Sequence, residues 1–124
     1  MGIYADYLNK NLDGNQLVQE RKRQLKRISE LRDDRAILVF ASALTKARAP
    51  IAIDYDDIVP ISDQLSNLSG DKIDIILETP GGYAEIAEQI IEYIRGKFND
   101  VAFIITGVAM SAGTIMAMAG DEIL

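Results

Sequence analysis

Three apolar stretches, AILVFAS (36–42), KIDIILET (72–79) and VAFIIT (101–106), are each followed by a turn signal and a stretch of helical period. This alternation leaves few folds open. Short, β-branched apolar runs bounded by turns read as buried strands. Parallel strands covered on their faces lack the apolar–polar alternation of half-exposed ones. The stretches between them have a different period. AEIAEQIIEYIRGKF (84–98) places Ile86, Ile90, Ile94 and Phe98 on one stripe, which is an amphipathic helix. A helix is predicted from about Asp57 to Leu68, with Asp56 or Asp57 as cap, Pro60 in the first turn and Gly70 at the end. ALTKARAPIAI (43–53) reads as a loop. A last helix is expected to begin near Ser111, and DEIL (121–124) reads as the approach to a fourth strand. The order predicts an α/β architecture with a largely parallel sheet and right-handed crossovers.

The 124 residues suffice for one core. Residues 1–35 read as a helical segment ahead of this domain, which takes up 36–124. Its helix, 15–32, carries Leu17, Leu25, Ile28 and Leu31 on one face and charge on the other. So few apolar residues fit a helix on the surface or one packed against another chain. RKRQLKR (21–27) reads as its solvated face. The N-terminal MGIYADYLNK lacks the basic-then-apolar pattern of an export signal, so the expected location is cytoplasmic. Val101–Gly120 contains no charge and meets the length test for a membrane helix. Its strand-like, punctuated and helix-like parts favour strand, turn and helix instead.

A net charge of −6 argues against a nucleic-acid partner. The absence of cysteine excludes disulfides and thiolate metal sites, and the absence of histidine removes the commonest general base and metal ligand. No metal or cofactor is expected.

Sites in α/β sheets form beyond the carboxyl ends of the strands. Two loops leave such ends, TPGG (79–82) and GVAMSAG (107–113). Pro-Gly-Gly is either a turn that opens a helix or a backbone that must come close to something and offer its N–H groups. Ser111 stands where strand becomes helix. It is either the N-cap of that helix or a projecting hydroxyl at a nucleophile elbow, with the Ala112 N–H beside it. The spacing is not G-x-S-x-G, because Ala109 stands two before the serine. A tetrahedral oxyanion needs two donors already aimed, and the N–H groups of Gly82 and Ala112 could supply them.

ILETPGGYAEIAEQIIEYIR and VAFIITGVAMSAGTIMAMAGDEIL together resemble the Clp-fold serine peptidases. That group includes signal peptide peptidase A, the Clp proteolytic subunit and, most similar here, the serine dehydrogenase proteinases. The resemblance covers residues 36–124 well and the first helix more loosely. It implies a ClpP/crotonase-like fold, here expected to be incomplete, and a homo-oligomer acting on polypeptides. It implies that Ser111 forms an acyl-enzyme. The oxyanion would be held by Gly82 and Ala112, with Gly81 shaping the loop. An extended substrate would pair beside PGGYA, where Tyr83 is either part of a side-chain pocket or a surface residue.

The departure from the family concerns the base. The Clp subunit uses His and Asp, and signal peptide peptidase A uses a Lys. This sequence has no His and ends at Leu124, ahead of the segment that carries the base in relatives. The expectation is a piece of a longer protein, whose missing sequence also leaves room for membrane association. Of the six lysines, Lys10, Lys22, Lys26, Lys46, Lys72 and Lys97, only Lys46 is predicted at the carboxyl edge of the sheet. Asp121 and Glu122 read as markers of the last helix's end. Two other readings stay open. One is a crotonase-like acyl-CoA enzyme with Glu85 or Glu88 turned inward. The other is a non-catalytic peptide-binding or assembly module.

Overall fold

The computed structural model describes residues 2–45 and 50–124, which form two compact units, 2–34 and 35–124.

The first unit holds α1 (Ile3–Asn9) and α2 (Gly14–Leu31). Helix α2 starts at a capping box: the Asp13 carboxylate accepts from the Gln16 N–H, and the Gln16 side chain accepts from the Asp13 N–H. The Tyr7 hydroxyl donates to Glu20 at 2.6 Å and accepts from Gln24 at 2.8 Å, tying the two helices together. Arg23 also donates to Glu20, and these bonds hold the Glu20 carboxyl well below the usual range. Neither helix has a buried residue. Helix α1 was not singled out within the segment 1–35 read as helical: its seven residues are too few to show a period.

The second unit holds β1 (Ala36–Ala41), a 3-10 turn (Tyr55–Asp57), α3 (Ile58–Ser66), β2 (Lys72–Thr79), α4 (Ala84–Lys97), β3 (Asp100–Ala109), α5 (Ala112–Met118) and β4 (Glu122–Ile123). The sheet order is β1-β2-β3-β4 and every pair is parallel. One row of the register runs Leu38, Ile75, Phe103, Ile123. Because strand side chains alternate, Leu38, Ile73, Ile75, Leu77, Val101 and Phe103 share one face. There they join Ile61, Leu65, Ile86, Ile90, Ile94, Phe98 and Met116 from the helices in one core. Helix α4 packs against both α3 and α5. The fold is thus the α/β, parallel-sheet architecture that the sequence predicts.

Four details differ from expectation. The helix foreseen from Asp57 does have Asp57 at its N-cap position, though without a side-chain cap bond, and a 3-10 turn precedes it with its own cap, Asp54: the Asp54 carboxylate accepts from the Tyr55 N–H, and Asp57 accepts from the Asp54 N–H. It ends at Ser66, ahead of Gly70. Strand β3 runs on to Ala109, because the register shift beside Thr79 lets Ala109 rejoin β2 and the Met110 N–H donate to the Thr79 carbonyl. And Asp121 does more than mark a helix end: it accepts from Arg95 at 2.7 Å and from the Val101 N–H at 2.9 Å. Val101–Gly120 forms most of β3, a turn and α5, and among the described residues no helix is long and apolar enough to cross a membrane.

At the amino edge of the sheet, Arg35 donates to Asp74 at 2.7 Å and to Asp100 at 2.9 Å. Asp74 is fully buried on the sheet face opposite the helices. The Arg35 bond holds the Asp100 carboxyl below its ordinary value.

Candidate active site

The two loops singled out in the sequence meet at the carboxyl edge of β2 and β3. Gly81 has φ 104°, in the left-handed region. A Cβ there would lie 2.7 Å from the Ser111 Cβ and 2.8 Å from the Met110 carbonyl oxygen. Gly81 is therefore a glycine because Ser111 lies against it. Gly82 has a different reason. Ile53 pairs with it as an isolated parallel bridge. The Ile53 N–H donates to the Gly81 carbonyl at 2.8 Å, and the Tyr83 N–H donates to the Ile53 carbonyl at 3.0 Å. A Cβ on Gly82 would strike the Ile53 backbone, including its Cα at 2.8 Å. The space free of side chain at Gly82 is filled by this neighbouring segment, within the stretch 43–53 read from sequence as loop.

Ser111 holds φ 52° and ψ −121°. A non-glycine residue in this region costs about 1–3 kcal/mol and persists only where its surroundings fix it. Those surroundings are visible. Met110 is tied to Thr79 through its N–H, the Gly113 N–H donates to the Met110 carbonyl at 2.9 Å, and the Thr114 hydroxyl donates to the Ala109 carbonyl at 2.7 Å. Gly113 packs so closely on the Thr79 methyl that a Cβ would collide with it. Ser111 occupies the N-cap position of α5, yet its side chain makes no capping hydrogen bond. The residue is exposed, while Ala112 is buried. The N–H groups of Gly82 and Ala112 donate to no acceptor among the described residues, whereas the Gly81 N–H donates to the Thr79 hydroxyl at 3.1 Å.

The remaining sequence candidates lie as follows. Lys46 is outside the described residues. Lys97 donates to the Leu65 carbonyl, and Lys72 pairs with Asp100 at the opposite, amino edge of the sheet. Glu85 and Glu88 are both exposed. Tyr83 is exposed, its ring centroid 6.0 Å from that of Tyr55. Among the described residues no group of three or more His, Cys, Asp or Glu could hold a metal. Sequence reasoning missed Thr79 and Ile53. The first had a signal, a threonine two residues ahead of Gly81, which is the spacing of a hydroxyl that caps a turn. The second had none, because a single bridging residue has no period.

Comparison with known proteins agrees with this architecture. ClpP1 from Listeria monocytogenes superposes with a TM-score of 0.56 at 23% identity, over 75% of this chain and 51% of that one. The ClpP catalytic domain from Plasmodium falciparum gives 0.55 at 18% identity, over 68% and 45%. At these identities the likeness is one of fold. Two uncharacterised proteins of Methanocaldococcus jannaschii, MJ1495 and MJ0137, are 42% and 38% identical over 52 residues. Each match covers 42% of this chain and 18% of the relative, so the chain spans only part of the proteins it resembles. The description of ClpP-like SDH-type serine proteinases matches residues 3–124, from the first helix through the glycine loop and the turn at Ser111 to the last strand. A match of that extent, on a chain with the ClpP fold, means that this chain belongs to the ClpP-like SDH-type serine proteinases.

Proposed function

We propose that this chain carries the nucleophile and the oxyanion donors of a serine endopeptidase. The observation that supports this best is the state of Ser111: an exposed hydroxyl at φ 52°, uncommitted as a cap, set against Gly81. In the two adjoining loops are two backbone donors, Gly82 and Ala112, that donate to no acceptor among the described residues. In this reading the Ser111 Oγ attacks a peptide carbonyl carbon and loses its proton to a base. The carbonyl oxygen becomes an oxyanion held by the Gly82 and Ala112 N–H groups. Collapse expels the amine, which takes up the proton, and water later releases the acyl group from Ser111.

The base is a lysine supplied from outside the 124 residues, following the Lys-type pattern of signal peptide peptidase A. The substrate is an extended polypeptide lying beside PGGYA. The assembly is a homo-oligomer, because the outer sheet face carries the partly exposed Ile37, Val39, Ile76 and Ile104, which association would cover. The location is the cytoplasm, with membrane association through further sequence as the alternative. The crotonase-like reading is the weaker one, since exposed Glu85 and Glu88 do not supply its inward carboxylates.

The test is the intact mass after incubation with a fluorophosphonate, for a protein that joins this chain to the segment carrying that lysine and for its Ser111→Ala variant. One adduct that vanishes in the variant is expected. An adduct that persists in the variant overturns the assignment of Ser111. Acyl-CoA binding without serine labelling points to the crotonase-like reading, and neither result points to a binding module.

A further inference from the structure

We propose that Thr79 is the positioning residue that sets the Gly81–Gly82 loop and the serine elbow in register with each other. The inference rests on the peptidase reading for its consequence but not for its geometry. Thr79 is the last residue of β2 and is 1% exposed. Three of its groups reach both loops. Its hydroxyl accepts the Gly81 N–H at 3.1 Å. Its carbonyl accepts the Met110 N–H at 3.1 Å, the residue just before Ser111. Its methyl presses on Gly113, two residues past Ser111.

These contacts have separable effects. The hydroxyl ties down the Gly81 amide, so the peptide that follows is held with its N–H, that of Gly82, left without an acceptor among the described residues. Gly81 in turn forms the wall against the Ser111 side chain, with the position of its absent Cβ 3.3 Å from Oγ. The methyl fixes how near the start of α5 comes to β2, and so where the Ala112 N–H sits. A hydroxyl and a methyl on one β-carbon let a single buried residue do both. Valine would retain the shape and leave the Gly81 N–H without its partner; serine would retain the acceptor and open a gap under Gly113.

The experiment measures amide hydrogen exchange by NMR, together with the fluorophosphonate acylation rate at Ser111. It compares the protein that includes the base-bearing segment with its Thr79→Val and Thr79→Ser variants. In the unaltered protein the Gly81 amide should be protected and the Gly82 amide should exchange freely. Thr79→Val should lose at least tenfold of the Gly81 protection and at least tenfold of the acylation rate, whereas Thr79→Ser should keep the Gly81 protection within about threefold of the parent and lose acylation rate only to the extent that the missing methyl lets Ala112 shift, less than Thr79→Val does. An unprotected Gly81 amide in the parent overturns the proposal. So does Thr79→Val with protection intact, or a loss equal in the two variants, which would reflect packing alone. If Thr79→Val fails to fold, the parent's exchange pattern and Thr79→Ser still decide. If the parent shows no Ser111 adduct, the peptidase reading fails on that arm, while the exchange arm separately upholds or overturns the role of Thr79.

Discussion

At the residue scale the site rests on backbone conformations that cost energy. Ser111 adopts positive φ without being a glycine, and Gly81 adopts it beside Ser111. The two are coupled, since the volume left by the missing Gly81 Cβ is where the Ser111 side chain lies. Gly81→Ala should therefore act twice. It adds about 1–3 kcal/mol of backbone strain at φ 104°. It also pushes the Ser111 Cβ from its place. The expected outcome is a lower denaturation midpoint and a fluorophosphonate labelling rate reduced at least tenfold. A variant that labels at the parental rate would show that the two loops do not share this space. The adjacent glycine is constrained by a different neighbour: a side chain at Gly82 would break its pairing with Ile53 before touching the serine.

At the scale of elements, two ionic clamps hold the sheet at places where strands and helices end. Arg35 joins the start of β1 to β2 and β3 through Asp74 and Asp100. With Asp74 fully buried, Asp74→Ala removes the guanidinium's buried partner but leaves its pair with Asp100, so the loss should fall below the ~3–5 kcal/mol of a buried charge left uncompensated. Urea denaturation of the variant should show that shift in midpoint. The second clamp joins α4 to β3 and the end of α5: Arg95 donates to Asp121 and to the Ala119 carbonyl. The Arg95 bond, then the Val101 N–H, hold the Asp121 carboxyl below its ordinary value of 3.8. Both Asp100 and Asp121 are lowered in the folded chain, so their contribution to stability is complete above that ordinary value and disappears as pH falls through the lower, folded values. Stability measured against pH should decline on that acid limb, and Asp121→Asn should flatten it.

At the scale of the molecule, the two units differ in what can hold each together. The core of 35–124 is continuous through sheet and helices. The helices of 2–34 bury nothing within their own unit and are joined chiefly by the Tyr7, Glu20 and Gln24 bonds. Isolated helices of this length are marginal in water. A peptide spanning 2–34 should show low helicity by circular dichroism, and a fully helical peptide would contradict this account. The strands, the long helices and the general place of the candidate site were legible in the sequence because they depend on short-range pattern. Apolar runs such as 72–79 and the Ile86, Ile90, Ile94, Phe98 stripe have one period each, and a turn at a strand's carboxyl end points to one edge of a parallel sheet. The length of β3 was not legible, because Gly107 reads as a turn until the register shift beside Thr79 brings Ala109 back to β2. Nor could the sequence choose between Ser111 as cap and Ser111 as elbow: both need the same residue at the same helix start. Its positive φ, its unused hydroxyl and the fit of Gly81 against it depend on how closely the ends of β2 and β3 approach, and that distance is set by packing between segments some thirty residues apart.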